Sequence, residues 1–278
     1  MPAPRVVFIT GATDGLGRAV ASDLAARGDR LILHGRRPDR LAAVAAEIAA
    51  ETGSEPPATV TADLSRLTEV HTVSDQLAAV TDHLDVLVNN AGVGGARPDG
   101  TERTLTVDGH ELRFAVNYLA PFDLTLRSLP LVAPGGRIVN VASLGQSPVQ
   151  FDDLTLSRDY DGWTAYGQSK LALITWGLTL ADKLDGITVN SLHPGTYMPT
   201  KMVLDNRIPE VDSLETGVEA TTRLIRDPRL DGVTGRFFDR LNGEARVRFD
   251  SAYDPGVRDR LWQLSLELTG APEPAPAR

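Results

Sequence analysis

Several features are scarce in this sequence, and each absence narrows the function. There is no cysteine, which excludes a disulfide framework and a cysteine-ligated metal site. Acidic residues outnumber basic ones by 37 to 28, and the net charge of −9 argues against a nucleic-acid backbone or an anionic membrane as the main partner. No run approaches the roughly 20 apolar residues that cross a bilayer, and the start lacks the apolar segment of a signal peptide. We therefore expect a cytoplasmic location.

The composition that is present is typical of a globular enzyme. The chain has 278 residues, of which 42% are hydrophobic, enough for a sizeable core. Apolar runs alternate with helical patterns without an obvious linker, which predicts an α/β fold. We predict a single-domain, doubly wound (Rossmann-type), mainly parallel sheet with helices on both faces over residues 1–270. Residues 271–278 alternate proline with alanine and glutamate and are predicted to form a disordered tail.

A glycine-rich turn follows the first predicted strand, Arg5 to Ile9, and precedes a helical pattern that ends near Gly28. Glycines let the backbone approach a pyrophosphate, and the helix N-terminus offers N–H groups and a positive dipole end. This combination predicts a dinucleotide site, with a tight turn that binds no ligand as the alternative. A phosphate loop of nucleoside triphosphatases is disfavoured because no Gly-Lys-Ser/Thr follows. The turn reads Thr10-Gly11-Ala12-Thr13-Asp14-Gly15-Leu16-Gly17.

Two arginines follow the second predicted strand, Arg30 to His34. An acidic residue near this position would bind both ribose hydroxyls of NAD, but the first carboxylate is Asp39, and Arg36 and Arg37 precede it. A guanidinium pairs well with a phosphate, so the pattern favours NADP(H) over NAD(H), with Arg36 as the main contact. Solvated loop charges are the alternative reading.

Tyr166 and Lys170 are four residues apart in a predicted helix that runs from Trp163 to Leu184. Both side chains then project from one face, one turn apart. We predict that the ammonium lowers the pKa of the phenol from roughly 10 toward neutrality, which suits proton transfer. The spacing alone is common by chance, so its weight depends on the rest of the chain.

Three further motifs follow predicted strands. Asn89 to Gly92 follow the fourth strand, Ser143 follows the fifth, and Pro194 to Thr196 follow the sixth. Because the carboxyl ends of parallel strands share one edge of a sheet, we expect these motifs to meet the glycine turn there. A proline four residues after Asn117 cannot donate to the carbonyl of Asn117, which predicts a carbonyl free to bind water.

Two variable segments are predicted to shape a substrate pocket. These are the polar loop Leu144 to Trp163 and a segment from Tyr197 to Asp212 that we predict to be an apolar lid. The aspartates of the first loop have no metal-loop spacing, and no two histidines are four residues apart, so we predict no metal site. An apolar substrate is predicted from Phe151, Trp163, Met198, Met202 and Val203.

In their order and spacing, these motifs resemble the short-chain dehydrogenase/reductase family from Val6 to about Gly270. The sequence Tyr-Gly-Gln-Ser-Lys and the stretch Leu261 to Ser265 are similar to sequences of its retinol-dehydrogenase-like branch. The resemblance implies that Tyr166 is the general acid/base and Ser143 orients the carbonyl oxygen. It also implies that Lys170 binds the nicotinamide ribose and lowers the tyrosine pKa, and that Asn117 positions a water that links Lys170 to solvent.

The resemblance also implies a cofactor-binding set. Asp63 would contact the adenine and Thr196 the carboxamide, whereas Asp14 stands where many NADP-using members carry a basic residue. The full set is Thr10, Gly11, Thr13, Asp14, Gly15, Leu16, Gly17, Arg36, Arg37, Asp63, Leu64, Asn90, Ala91, Gly92, Tyr166, Lys170, Pro194, Gly195 and Thr196.

The function implied is hydride transfer between NADP(H) and a small-molecule carbonyl or alcohol, an apolar ketone or aldehyde. Relatives are commonly dimers or tetramers and this branch includes monomers, so a homo-oligomer stays an open expectation. A nucleotide-sugar epimerase or dehydratase usually has G-x-x-G-x-x-G, which the turn does not match. A non-catalytic NADP-binding sensor or scaffold is the remaining alternative.

Overall fold

The computed structural model describes residues 4–94, 102–204 and 209–274. Seven strands form one sheet in the order β3-β2-β1-β4-β5-β6-β7, and every pair of neighbours is parallel. The strand order reverses between β1 and β4, which opens a crevice at their carboxyl ends. The strands are β1 Val6–Ile9, β2 Arg30–Gly35, β3 Ala58–Thr61, β4 Leu84–Asn89, β5 Val132–Val141, β6 Thr188–His193 and β7 Arg236–Asp239.

The sheet separates two hydrophobic cores, and the first strand shows why. All four residues of β1 are buried; Val6 and Phe8 point into one core, whereas Val7 and Ile9 point into the other. Successive side chains of a strand face opposite sides of the sheet, so a continuous apolar run fits a strand that is covered on both faces. The predicted doubly wound sheet is confirmed.

Helices cover both faces. Helices α1, α2 and α9 pack on one core, whereas α4, α6, α7 and α10 pack on the other. Within the described residues the bounds are α1 Gly15–Ala26, α2 Pro38–Thr52, α3 Leu67–Val70, α4 Val73–Val80, α5 Leu112–Phe114, α6 Ala120–Ser128, α7 Gly162–Lys183, α8 Lys201–Leu204, α9 Leu214–Arg226 and α10 Pro255–Thr269.

The C-terminal helix α10 explains why α7 is apolar on almost every side. Trp262 of α10 stacks edge-on against Phe122 of α6 at 5.4 Å between ring centroids, and Phe122 contacts Trp176 of α7 at 5.7 Å. These rings close the core that lies beneath the tyrosine–lysine face of α7. Helix α10 therefore fixes α7 from the side opposite the sheet.

Two predicted helices differ from the structure. The apolar pattern of residues 67–83 predicts one amphipathic helix from about Leu67 to His83, but the structure divides it into α3 and α4 around Thr72. The Thr72 N–H donates to the Glu69 carbonyl at 3.0 Å, and its hydroxyl donates to the same carbonyl at 2.8 Å. A hydroxyl that bonds backwards to the backbone competes with regular helical hydrogen bonds.

The sequence from Val107 to Leu129 is predicted to be mostly helical, but the first helix of this stretch begins at Leu112. A turn precedes it, with the Gly109 N–H donating to the Thr106 carbonyl at 3.0 Å and Gly109 at φ +83°. The Glu111 side chain then caps the helix by accepting from the backbone N–H groups of Arg113 and Phe114. The cap starts the helix later than its apolar pattern indicates.

Some predictions fall partly outside the described residues. These are the outer part of the predicted tail, 275–278, and residues 205–208 of the predicted lid, together with the side chain of Met202. Within the ranges that are described, no helix is both long enough and apolar enough to cross a membrane.

Candidate active site

The carboxyl ends of β1, β4, β5 and β6 are neighbours in the sheet, and all the predicted motifs lie there. Ile9 pairs with Val88, Asn89 with Asn140, and Val141 with Leu192. The residues that follow these strands, Thr10, Asn90, Ser143 and Pro194, therefore line one edge. The structure thus brings the motifs that follow these strands to one edge of the sheet, as predicted.

The glycine turn is tied to the end of β4. The Asn90 side chain donates to the Thr10 carbonyl at 2.8 Å, and the Thr10 hydroxyl accepts from the N–H groups of Asn90 at 2.9 Å and Ala91 at 3.0 Å. Gly11 has φ +67°, and a Cβ there would lie 2.8 Å from the Ala91 Cα. The turn therefore requires glycine for both its backbone angle and its close approach.

Gly17 marks the closest contact of α1 with the turn. A Cβ at this position would lie 2.3 Å from the Gly11 carbonyl oxygen and 2.4 Å from the Asn90 Nδ2. Among the other predicted turn contacts, the Leu16 side chain is buried in the core, so only its backbone can reach a ligand. Asp14 is the N-cap of α1, and its carboxylate accepts from the Gly15 N–H at 2.7 Å.

The methyl group of Thr13 packs over the end of β2. A Cβ on Gly35 would lie 2.6 Å from the Thr13 Cγ2, so glycine brings the turn directly beside the residue that precedes Arg36. Arg36 and Arg37 are exposed, and neither guanidinium group makes a hydrogen bond or ion pair with any described residue. Both guanidinium groups are thus available to an anion at the end of β2.

His34 is a structural part of this site that sequence reasoning missed. Its Nδ1 accepts from the Gly11 N–H at 3.3 Å, so Nε2 carries the proton and donates to the Ala62 carbonyl at 3.1 Å. Burial lowers the pKa of His34 to about 4, which keeps the ring neutral. A histidine that ends an apolar strand was the available signal. The ring joins the glycine turn to the end of β3.

Asp63 and Leu64, predicted adenine contacts, follow β3. The Asp63 carboxylate oxygen Oδ1 accepts from the Ser65 N–H at 2.9 Å and from the Ser65 hydroxyl at 2.8 Å. This turn fixes the direction of the carboxylate. The Leu64 side chain is buried in the core, so only its backbone faces the crevice.

Tyr166, Ser143 and Lys170 lie together at the centre of the edge. Ser143 hydrogen-bonds Tyr166, and its hydroxyl oxygen also accepts from the Gly145 N–H at 3.0 Å. The Lys170 ammonium lies 5.7 Å from the centre of the Tyr166 ring and donates to the Val141 carbonyl at 2.8 Å. A hydroxyl pair that can hold a carbonyl oxygen therefore lies beside a buried ammonium.

The predicted direction of the tyrosine pKa is wrong for this structure. Burial of the phenol raises the pKa of Tyr166, and only the hydrogen bond with Ser143 opposes that rise. Burial also lowers the pKa of Lys170 to about 8, so the group is still mainly an ammonium at neutral pH. Helical spacing predicted the proximity of the two groups, but it could not predict that Lys170 is buried and the Tyr166 phenol is desolvated.

Asn117 lies in a π-helical turn, Ala115–Leu119, in which the Ala120 N–H bonds to the Ala115 carbonyl. Its side-chain oxygen accepts from the Val93 N–H at 2.7 Å, and its Nδ2 donates to the Ser169 hydroxyl at 2.9 Å. Ser169 in turn donates to the Tyr166 carbonyl at 2.7 Å. Asn117 thus fixes the turn of α7 that carries the tyrosine, and the predicted free carbonyl of Asn117 stays a prediction.

The segment after β6 is fixed by groups that the sequence did not single out. Pro194 is buried, and a Cβ on Gly195 would lie 3.3 Å from the Asp212 Cβ. The Thr196 N–H donates to the Asp212 carboxylate at 2.7 Å, and its hydroxyl lies 3.0 Å from the His193 Nε2. The predicted carboxamide contact therefore has a fixed orientation at the strand end.

Most of the residues that predicted an apolar pocket have other roles. Met198 and Val203 are buried, and Met198 packs against α9, since a Cβ on Gly217 would lie 2.3 Å from its sulfur. Phe151 lies under the Arg260 guanidinium and lines a cavity of about 210 Å³ that also contacts α7 and α10. Helix α9 and α10 are distant in sequence, so no local pattern shows that they cover these side chains.

Trp163 is the exception, because its ring stands edge-on to Tyr166 at 6.3 Å and is 46% exposed. Leu144 and Tyr197 are also exposed, and they adjoin Ser143 and Thr196 in the chain. Exposed apolar side chains beside a site commonly mark a binding surface. These three residues replace the buried ones as the apolar border of the site.

The edge fits a nicotinamide dinucleotide in shape and charge. A Cβ on Gly92 would occupy space 3.3 Å from the Asn117 Oδ1 and 3.5 Å from the Lys170 Nζ, so glycine leaves the ammonium open to the crevice. The N-terminus of α1 and the two arginines offer donors to phosphates at the other end. Lys170 can hold a ribose, and Arg36 and Arg37 can hold a phosphate.

Comparisons with known proteins agree with this arrangement. A family model described as short chain dehydrogenase matches residues 5–210. The chain is 33% identical to human retinol dehydrogenase 13 over 98% of its own length and 86% of that protein.

Two solved structures are also similar. An uncharacterized protein from Mycobacterium paratuberculosis matches with a TM-score of 0.77 and 30% identity, covering 98% of this chain and 96% of that chain. A short chain dehydrogenase from Burkholderia cenocepacia in complex with NADP matches with a TM-score of 0.66 and 28% identity, covering 85% and 95% respectively.

Proposed function

The chain belongs to the short-chain dehydrogenase family, and from that premise we propose that it transfers a hydride between NADP(H) and an apolar aldehyde, ketone or alcohol. The observation that carries the proposal is the convergence of Tyr166, Ser143, Lys170 and Asn117 beside the glycine turn. When bound, the nicotinamide supplies or accepts the hydride. The chain's own residues supply binding, orientation and the proton.

Tyr166 is the proposed general acid in reduction and general base in oxidation. Burial raises the pKa of the phenol, so it is protonated at neutral pH and carries the proton that reduction requires. The Ser143 hydroxyl, fixed by the Gly145 N–H, donates the second hydrogen bond to the substrate oxygen. In this proposal Tyr166 donates the proton, and Ser143 orients the substrate oxygen.

Lys170 and Asn117 support that proton transfer. Lys170 sits within one turn of Tyr166, with its ammonium in the crevice opened by Gly92. Asn117 holds Ser169 and, through it, the backbone of Tyr166. Their proposed roles are to bind the nicotinamide ribose and to keep the helical turn of the tyrosine in place.

The NADP(H) preference rests on Arg36 and Arg37. Two unpaired cations at the end of β2 suit a 2′-phosphate, which the nearby carboxylate of an NAD site would repel. A structural neighbour that contains NADP supports the same cofactor. The apolar substrate class is supported by Trp163, Leu144 and Tyr197 and by the retinol named for the human relative.

Tyr166→Phe tests the proposal. In an NADPH-oxidation assay against a panel of aldehydes and ketones, we expect kcat to fall about 10³-fold because the phenol no longer donates a proton. NADPH binding, measured by fluorescence titration, should stay within about twofold of wild type, since the ring is retained. Tyr253→Phe, in the short helix Asp250–Tyr253, is the matched control. Undiminished turnover by the Tyr166 variant would contradict the proton-transfer role.

A further inference from the structure

Hydrogen bonds join the two ends of the segment that runs from Thr196 to Asp212. The Asp212 N–H donates to the Thr196 carbonyl at 2.9 Å, and the Thr196 N–H donates back to the Asp212 carboxylate oxygen Oδ2 at 2.7 Å. One residue further in, the Val211 N–H donates to the Tyr197 carbonyl at 3.3 Å. The two ends of the segment are therefore joined beside the carboxyl end of β6.

Arg240, which directly follows β7, binds the joined ends of this segment through Asp212. Its Nη1 donates to the same oxygen of Asp212 at 2.9 Å, and its Nε donates to Asp239, the last residue of β7, at 2.9 Å. The Arg240 N–H donates to the His193 carbonyl at 2.8 Å. One residue thus connects the ends of β6 and β7 to the carboxylate that holds Thr196.

The backbone at this point is strained. Arg240 and Tyr197 have φ angles of +49° and +45°, a region that bulky side chains rarely adopt. Such conformations persist only where surrounding contacts determine them, and they cluster at functional sites. Here Tyr197 directly follows Thr196, and the backbone of Arg240 is determined by its hydrogen bonds to Asp212, Asp239 and His193.

Electrostatics strengthen the connection. The Thr196 N–H and, next, the Arg240 guanidinium keep the pKa of Asp212 below its usual range, so the carboxylate stays charged. Both side chains are only about a quarter exposed, at 26% for Arg240 and 20% for Asp212. A charge-assisted pair with this geometry holds its partners more firmly than an exposed surface pair.

We propose that the Asp212–Arg240 pair is a positioning device for the nicotinamide end of the cofactor: it fixes the direction of the Thr196 N–H and hydroxyl at the end of β6. The inference rests on the proposed function, because it assigns Thr196 to the carboxamide. Asp212 and Arg240 act through Thr196 and do not touch the reacting atoms.

The test compares a whole cofactor with a fragment. Arg240→Met and Asp212→Ala are titrated with NADPH and with 2′,5′-ADP, which lacks the nicotinamide half. We expect the NADPH Kd to rise about tenfold, since a small displacement of a positioning contact is costly. The 2′,5′-ADP Kd should stay within about twofold, because its site lies at β1 and β2. Arg240→Lys keeps the charge without the forked geometry and should give an intermediate loss.

Arg236→Met is the matched control, because Arg236 begins β7, the strand that Arg240 follows, and forms an exposed pair with Glu244 at 3.3 Å. Its two Kd values should equal those of wild type. Thermal melting checks that each variant folds. If one does not, Asp212→Asn is used in its place, because its amide oxygen can still accept from the Thr196 N–H. Asn should give a smaller loss of NADPH affinity than Ala.

The outcomes separate the two proposals. An unchanged NADPH Kd in a folded Arg240→Met protein, or an equal loss for NADPH and 2′,5′-ADP, would overturn the positioning role and leave the proposed function intact. A wild-type protein that binds no NADPH would overturn both.

Discussion

The cofactor half of the site, at the ends of β1, β2 and β4, is held together by hydrogen bonds between residues that directly follow adjacent strands. There the turn from Thr10 to Gly17 bonds to Asn90 and Ala91, which follow an adjacent strand. The substrate half is held by individual side chains, such as Gln146, which donates to the Ser143 carbonyl, and Arg103, which donates to the Thr155 carbonyl. Sheet geometry therefore determines the first half, whereas the second depends on individual side chains that can change without altering the sheet.

Gly17→Ala gives the largest expected effect, because it disrupts the close contact between α1 and the glycine turn of the cofactor half. The added methyl would lie against the Gly11 carbonyl and the Asn90 side chain at distances that real contacts do not reach. We expect NADPH affinity to fall at least about 100-fold, since the turn must move away from α1. The measurement is NADPH titration beside Gly256→Ala, whose methyl meets only the exposed Asp254 cap. Comparable affinity for the two variants would refute this account of the turn.

Lys170→Met separates function from stability at the centre of the site. Burial lowers the pKa of Lys170 from 10.5 to about 8, so the unfolded chain holds this proton more tightly and the charged form opposes folding below about pH 8. We expect Met to abolish turnover and raise the free energy of unfolding at pH 7 by about 2 kcal/mol, less than the full pKa shift because the Val141 carbonyl loses its donor.

Urea denaturation at pH 7 and at pH 10 checks the sign. The free energy of unfolding of the wild type should rise between about pH 8 and 10.5, because Lys170 becomes neutral and no longer opposes folding. The difference in stability between the Met variant and the wild type should therefore be smaller at pH 10. A Met variant that is less stable than wild type at pH 7 would contradict the prediction.

Arg36→Ala tests the charge of the cofactor half rather than its shape. The NADPH Kd should rise about tenfold, the worth of one charge-assisted pair, with little change for NADH. Arg40→Ala, one turn further along α2 and paired with Glu47, is the matched control and should leave both values unchanged. Equal losses of NADPH and NADH affinity would remove the assignment of the 2′-phosphate to Arg36.

Trp163→Ala gives the smallest expected effect and acts only on the substrate half. The indole borders Tyr166 and is 46% exposed, so its loss should leave folding and NADPH affinity unchanged. We expect kcat/KM to fall about fivefold for a long apolar aldehyde and to stay constant for a small one, because only the former reaches the indole. Equal effects on the two substrates would place the substrate elsewhere.

The same division explains what the sequence could predict. Motifs that follow strands, such as Ser143 and Pro194, could be brought to one edge because parallel strands share their polarity. Tyr166 and Lys170 could be placed on one face of α7 from their spacing alone. These positions follow from local patterns and from one rule of topology, and the structure brings the residues together as expected.

The rest depends on contacts between elements that are remote in sequence. Met198 was expected in a lid but packs in the core, because glycines at 195 and 217 make room for it. Arg240 and His34 belong to no sequence motif. Their roles come from hydrogen bonds to residues that follow other strands: Arg240 binds Asp212, and His34 binds Gly11 and Ala62. Burial of both Tyr166 and Lys170 likewise reversed the expected direction of the tyrosine pKa.

The most direct test of the central claim follows the hydride itself. The protein is incubated with NADPH that carries deuterium at both C4 positions of the nicotinamide and with an apolar aldehyde, and the alcohol is examined by mass spectrometry. The account predicts one deuterium on the carbinol carbon with the wild-type protein and a severe loss of labelled alcohol with Tyr166→Phe. A wild-type protein that binds NADPH yet forms no labelled alcohol from any aldehyde or ketone would contradict it.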